Sequence, residues 1–243
     1  MAKGVPCAAC PLLACEGLRA PDADQREWLQ AFKSGEVSLI RGEPLLSQGS
    51  WSTGVFTLLA GVLVRFRLLE DGRRQILNFM FPGDLVGMQG AFDDPLGYSV
   101  EALTSATLCH FPRDRFFELV TNHPRLSFDI TWLAAKEEAA LEEHLVALGQ
   151  RSARERITYL AIFLVQRGID TGAANGTTLD LTVTQSQIAD MLGLSLVHIN
   201  RTLRSLRSEG LVRWDLSRIE ILDMEQACDF AHFEISATPR PYI

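Results

Sequence analysis

The sequence predicts an α+β fold in which a β-rich first half, one long helix and a helical part closed by a β-ribbon follow one another. Three observations carry this. Across residues 37–111, short apolar or alternating runs are broken by turn formers: Gly42-Glu43-Pro44, Gly49, Gly54, Gly61, Asp71-Gly72, Pro82-Gly83-Asp84 and Asp93-Asp94-Pro95. Such punctuation belongs to an all-β barrel or sandwich rather than to a parallel sheet. Residues 125–148 contain no Pro or Gly and space their large apolar side chains at helical intervals. Residues 184–212 hold two amphipathic segments on either side of Gly193, each with a helix-start signal.

In chain order, residues 1–22 carry three of the five cysteines with Pro6, Pro11 and Pro21, show no period, and are expected as an irregular arm. Residues 24–32 form a short helix with Trp28, Leu29 and Phe32 on one side. Residues 62–68 and 75–81 flank Asp71-Gly72 as a β-hairpin. After Pro112, residues 113–120 make a brief helix, and Pro124 suits the first position of the long one. Leu126, Ile130, Leu133, Leu141, Leu145 and Leu148 form a heptad-like stripe with one gap. The stripe can pack on its own β domain or on a second helix. Its narrowness favours the second, making Ile130, Leu133, Leu141, Leu145 and Leu148 a dimer seam. Glu137 and Glu138 fall in or beside the gap, near the symmetry axis. Gly149 is expected to end this helix, residues 156–165 to form another, and 168–178 to be a surface loop. The expected division is an arm (1–22), a β domain (23–123), the long helix (124–148) and a C-terminal domain (149–243).

Composition bounds the class. With 243 residues, 47% hydrophobic and 22% charged, the chain has material for one large core or two modest ones. Disorder, collagen-like repeats and a disulfide scaffold are excluded. The longest strongly apolar stretch, 159–165, is far below the ~20 residues of a membrane span. No apolar signal core opens the chain, and five cysteines make no even framework, so a reducing cytoplasm is expected. The net charge of −7 argues against nucleic acid until it is divided. Residues 196–213 hold Arg201, Arg204, Arg207 and Arg213 against Glu209 alone, giving +3 there and −10 elsewhere.

That basic stretch lies in the sharpest motif. Thr184-Gln185-Ser186-Gln187 has capping-box form, and Ile188, Ala189 and Leu192 give the first helix its apolar face. Gly193 permits a sharp turn, Leu194 wedges between helices, and Ser195 caps a second helix closed by Gly210. Ile199, Leu203 and Leu206 face inward, leaving Val197, His198, Asn200, Arg201, Arg204 and Arg207 outside. This is a helix-turn-helix with an exposed Arg and Asn face. Arg201 suits a bidentate guanine contact, Asn200 an adenine or phosphate contact, and Val197 a thymine methyl. Arg204 and Arg207 suit phosphates; Gln185 and Ser195 at the helix starts complete the candidate DNA contacts. Residues 211–214 and 218–222 read as a two-stranded wing. The plain alternative is an amphipathic helical hairpin with a solvated Arg face.

The order of elements, with Gly42-Glu43 through Gly49, Gly61-Val62, Pro82-Gly83-Asp84-Leu85-Val86-Gly87 and Gln187-Ile188-Ala189-Asp190-Met191-Leu192-Gly193-Leu194-Ser195, resembles the Crp/Fnr superfamily of bacterial transcription regulators over about residues 30–225. The resemblance implies a β-roll (double-stranded jelly-roll) sensor domain, a dimerisation helix and a C-terminal winged helix-turn-helix domain. It also implies a homodimer on a two-fold DNA operator and contact with RNA polymerase, without enzymatic activity. Cyclic-nucleotide-binding members use a Gly-Glu pair and then an Arg-Ser pair; here those positions read Gly87-Met88 and Leu96-Gly97-Tyr98-Ser99. The charge partners are missing, which argues against a cyclic nucleotide.

Cys7, Cys10 and Cys15, with Cys109 at the end of the β-rich region, resemble the oxygen-sensing Fnr branch, whose four cysteines hold a 4Fe–4S cluster. The interval from Cys10 to Cys15 is one residue shorter than in the best-known member. Zinc accepts the same four thiolates, a redox disulfide needs two of them, and a buried Cys109 with an idle arm needs none. Cys228 lies beyond the wing and is expected to be structural. In the recognition helix, the branch's Glu-x-x-Ser-Arg reads Val197-His198-Ile199-Asn200-Arg201, so only Arg201 is retained. Three rivals remain: the same fold sensing another small molecule or nothing, a cupin-type enzyme, and a structural dimer module. His110 is the only histidine across 37–111, too few for a cupin metal site, and a structural module leaves the Arg face without a role.

Overall fold

The computed structural model describes residues 4–91, 94–235 and 239–243. Asp93 of the expected Asp93-Asp94-Pro95 turn lies outside the described residues. The arm is more ordered than its composition suggests: two 3-10 turns, Cys7–Ala9 and Pro11–Ala14, lead to a short strand, β1 (Leu18–Arg19). Helix α1 (Ala23–Phe32) opens with Asp22 and Gln25 capping each other reciprocally.

Eight strands then build the roll: β2 (Gly35–Leu39), β3 (Pro44–Leu46), β4 (Gly54–Ala60), β5 (Leu63–Leu68), β6 (Arg74–Met80), β7 (Leu85–Val86), β8 (Ser99–Ala102) and β9 (Ala106–Pro112). They form two antiparallel four-stranded sheets, β2-β9-β4-β7 and β3-β8-β5-β6. The expected hairpin is β5–β6, with Leu63 opposite Met80 and Leu68 opposite Arg74. Leu39, Phe56, Leu58, Leu63, Met80, Val100 and Leu108 fill the space between the sheets. Val62, Val64 and Phe66, with the opposite parity to Leu63, point out of the roll into a second core shared with the C-terminal domain. A sheet covered on both faces explains why Leu63–Phe66 are all buried.

Helix α2 (Phe116–Asn122) leads to α3 (Pro124–Gln150), with Pro124 in its first turn. Gly149 does not stop α3 as expected. The helix runs one residue further, until Arg151 turns extended to meet the next cap. Helix α4 (Ala153–Asp170) begins earlier than expected, because Ser152 and Glu155 form a capping box, and ends later. Gly168 stays helical: a Cβ there would meet a Leu179 methyl carbon at 2.8 Å, so the glycine permits close packing. The expected loop therefore shrinks to a hairpin, β10 (Ala174–Asn175) and β11 (Thr178–Leu179). Next come α5 (Gln185–Leu192), α6 (Leu196–Ser208), β12 (Val212–Asp215), β13 (Arg218–Ile221), α7 (Met224–Ala231) and β14 (Arg240–Pro241). The wing is a four-stranded sheet, β10-β11-β13-β12, rather than a two-stranded ribbon. No helix among the described residues is long and apolar enough to cross a membrane.

The stripe on α3 needs correction. Leu126 and Ile130 pack with Leu12, Leu29, Phe32, Val55 and Phe111 of the chain's own arm, α1 and roll, and Leu133 is also buried. Ile130 and Leu133 are therefore covered without a partner helix. Glu137, expected near the symmetry axis, makes a 2.6 Å ion pair with Arg65 of β5 and accepts from the Asn78 side chain, so its charge is met within the chain. Leu145 is 70% exposed, Glu138 is exposed, and Leu141 and Leu148 are half-buried. One periodicity thus serves two surfaces: the first turns face the roll and the last turns face outward.

Candidate nucleic-acid interface and cysteine site

The helix-turn-helix forms because its local signals agree. Thr184 accepts from the Gln187 N–H at 3.2 Å while its own N–H donates to the Gln187 side chain at 2.8 Å. Gly193 sits at φ +63° with open space where a Cβ would stand, so conformation and not crowding requires glycine at this turn. Ser195 accepts from the His198 N–H at 3.3 Å, starting α6. Ile199 and Leu206 are fully buried; Leu203 and Leu194 pack against the same core.

What remains outside is the predicted face. Val197 is 81% exposed, Arg201, Arg204 and Arg207 are exposed, and His198 is half-buried. Among the described residues Arg201 and Arg204 have no protein partner, whereas Arg207 stands 4.0 Å from Asp215. Arg213 pairs with Glu220 across the wing at 2.5 Å, so the free positive charge is concentrated on α6.

Asn200 differs from the expectation. Its amide donates to Gln185 at 2.7 Å and to the Leu196 carbonyl at 3.1 Å, and its oxygen accepts from Gln185 at 2.9 Å. Both amide hydrogens are used, leaving none for adenine N7. Gln185 and Asn200 clasp α5 to α6, and Gln185 keeps one amide hydrogen unused.

The cysteines converge on one apolar cluster. Cys109 of β9 is buried with Leu12, Leu29, Phe32, Val55 and Phe111, and half-buried Cys7, Cys10 and Cys15 pack against it. Arm docking is local and specific: the Cys7 N–H donates to Gln30 at 2.7 Å, and buried Lys33 donates to the Val5 carbonyl while lying 3.6 Å from Glu36. Burial pushes all four thiols up, Cys109 to about 12, against a lowering pull from Lys33 on Cys7, Cys10 and Cys109. The thiols are thus protonated near neutrality, and any metal must displace protons. The all-sulfur donor set fits iron–sulfur or zinc chemistry. The arrangement is not closed, however. Cys15 donates to the Thr171 carbonyl at 3.4 Å, and no three His, Cys, Asp or Glu side chains among the described residues stand together as a metal site.

A cleft of about 580 Å³ lies between the roll and α3, lined by Arg65, Met88, Tyr98, Leu133, Glu137 and Leu141 among others. Met88 and Tyr98 occupy the segments where the resemblance places nucleotide ligands. The one deeply buried cation among these lining residues, Arg65, lies 5.1 Å from the Tyr98 ring centre and is engaged by Glu137. Sequence reasoning missed Arg65 because a single Arg in a strand carries no local signal. It also missed the Asp84–Arg167 ion pair, 2.7 Å long and buried, that fastens α4 to the roll. Gln75 adds a hydrogen bond at 3.1 Å to the Met191 carbonyl at the end of α5.

The chain thus joins a β-roll with a cleft to a winged helix-turn-helix carrying a free arginine face, which defines the class as a DNA-binding regulator of transcription. Residues 36–123 match the family described as the cyclic nucleotide-binding domain, and residues 159–227 the Crp-like helix-turn-helix domain. The nitrogen fixation regulation protein FixK of Bradyrhizobium diazoefficiens is 30% identical over 217 residues, 89% of this chain and 89% of that protein. The transcriptional activator protein FnrL of Cereibacter sphaeroides is 27% identical over 215 residues, 85% of this chain and 83% of its own. The solved structure of FixK2 from Bradyrhizobium japonicum shares the fold, with a TM-score of 0.70 at 22% identity, covering 83% of this chain and 98% of that one. The chain belongs to the Crp/Fnr family of transcription regulators, and is not an enzyme.

Proposed function

We propose that this regulator acts in the cytoplasm as a homodimer that binds two-fold symmetric DNA, contacts RNA polymerase, and responds to oxygen or redox state through Cys7, Cys10, Cys15 and Cys109. The observation that carries the proposal is the convergence of these four thiols on one cluster that also holds Leu126 and Ile130 of α3. A change at the arm therefore reaches the long helix directly. Those four residues would hold a 4Fe–4S group, which when bound supplies a centre that oxygen dismantles. The chain's own contribution is mechanical: the arm, tied by Cys7 to Gln30 and by Lys33 to Val5, sets how α3 lies on the roll.

The outward end of α3, with Leu141, Leu145 and Leu148, is the seam this reading assigns to the partner subunit, and Glu138 is the acidic group left exposed beside it. Pairing would set two recognition helices ~34 Å apart, one turn of DNA. Arg201 would read a guanine, Val197 and His198 would touch neighbouring base edges, and Arg204, Arg207, Gln185 and Ser195 would hold phosphates. Asn200 would position Gln185 rather than read a base. The branch's cytosine-directed Glu is Val197 here, so the operator is expected to differ at that base pair.

Iron and sulfide analysis of protein purified without oxygen tests the cluster: iron and sulfide near four of each per chain is expected. Full zinc occupancy or no metal would overturn it. The cleft, with its Arg65–Glu137 pair, favours a second reading, in which the roll senses a small molecule other than a cyclic nucleotide. Serine at the four cysteine positions separates the two, since unaltered regulation would support the cleft.

A further inference from the structure

The C-terminal part of the chain reaches into the cysteine site. Strand β14 pairs in parallel with β1 of the arm, Leu18 opposite Arg240 and Arg19 opposite Pro241, and the Arg240 N–H donates to the Gly17 carbonyl at 3.0 Å. Beyond it, Tyr242 and Ile243 are buried in the cluster that contains Leu12, Cys109 and Phe111 and against which Cys7, Cys10 and Cys15 pack. Thr57 of β4 donates to the main-chain oxygen of Ile243. The Tyr242 hydroxyl is buried without a well-formed hydrogen bond, and the Cys10 and Cys15 thiols are among its near neighbours. Arg240 reaches Asp84 at 3.3 Å, the same carboxylate that holds Arg167 of α4.

We propose that residues 240–243 are an intramolecular cap on the cysteine site, with Tyr242 as its plug, that must withdraw before the four thiols can engage a metal. Three features argue for displacement rather than coexistence. An aromatic ring in the cluster occupies volume that a compact ligand set around a metal would need. Cys15 spends its hydrogen on the Thr171 carbonyl at 3.4 Å, and the arm is held to the segment by backbone pairing. The Tyr242 hydroxyl, buried beside Cys10 without a well-formed hydrogen bond, marks an imperfect fit of the kind that a segment able to leave can tolerate. Withdrawal would also take Arg240 from Asp84, so the carboxylate that anchors α4 on the roll would report on the state of the cysteines. The proposal rests on the four cysteines being a ligand set, and its test separates the two ideas.

The test labels the reduced, metal-free full chain with a maleimide under nitrogen and reads each cysteine by mass spectrometry. Half-buried Cys228 in α7 serves as the internal control. Tyr242→Ser is expected to speed labelling of Cys10 and Cys15 about tenfold while leaving Cys228 unchanged. Tyr242→Phe, which keeps the ring and removes only the hydroxyl, is expected to label no faster than the parent and guards against a merely misfolded variant. Cobalt(II) alone, followed by thiolate-to-metal absorption, is expected to bind the Tyr242→Ser chain about tenfold more tightly than the parent. Unchanged labelling with equal cobalt affinity overturns the cap and leaves the ligand set standing. Faster labelling with no cobalt bound to either chain supports the cover and overturns the ligand set on which withdrawal depends.

Discussion

Acidifying the protein from pH 7.5 to 5 should destabilise the junction between roll, α3 and α4 through one side chain, His144. It is buried on α3, with the Tyr159 hydroxyl of α4 at 2.7 Å from Nδ1 and the Asn78 side-chain oxygen of β6 at 3.3 Å from Nε2. The network is consistent with a neutral ring that accepts from Tyr159 and donates to Asn78. Burial holds the imidazole down to about 4, with the Arg65 charge adding to the effect. An exposed imidazole titrates near 6.5. Between those values the unfolded chain takes up a proton and the folded chain does not, so stability falls as the pH drops below about 6.5 and levels off below about 4. The full gap corresponds to about 3 kcal/mol, of which about 2 kcal/mol is lost by pH 5. Urea unfolding at pH 7.5, 6 and 5, for the parent and for His144→Gln, measures it. The parent should lose about 2 kcal/mol more than the variant across that range. Parallel pH profiles would refute the assignment.

Three further outcomes follow from the buried ion pair and the recognition helix. Asp84→Ala leaves Arg167 buried without its counter-charge and should cost about 3–5 kcal/mol, read by chemical denaturation; a loss under about 1 kcal/mol would mean the pair does not anchor α4. On operator DNA, Arg201→Ala should cost about 1–3 kcal/mol and relax preference at one base pair, whereas Arg204→Ala should weaken all sequences alike and lower the salt slope by about 1. Asn200→Ala should resemble Arg204→Ala in leaving base preference intact, because its amide is spent on Gln185 and Leu196; a selective loss at one adenine would show that it reads the base after all.

The elements legible from sequence are those whose causes are local. Thr184 and Gln187, Gly193 and Ser195 determine two helices and the turn between them through contacts three or four residues apart, so the helix-turn-helix can be placed nearly to the residue. Asp71-Gly72 places the hairpin for the same reason. The start of α4 shows what a neglected local signal costs: apolar content alone puts it at 156, and the Ser152–Glu155 capping box sets it at 153. Gly149 misleads differently: a glycine near a helix end is a common stop, but here the following cap decides where α3 ends.

The site's surroundings depend on tertiary structure. A helical period tells which positions of α3 share a face, not what covers them, so Ile130 and Leu133 look like a seam, whereas Ile130 packs with the roll and arm and Leu133 is buried within its own chain. Glu137 could not be assigned to Arg65, nor Asp84 to Arg167, because the partners lie far apart in the chain and none has a local signature. The cysteines show both limits at once. Their number and spacing single them out in the sequence, while folding decides that the arm docks on the cluster that holds Cys109 and that Tyr242 is buried in it. Local backbone chemistry is written in neighbouring residues; what buries a face or meets a charge is settled only when distant segments compete for the same surface.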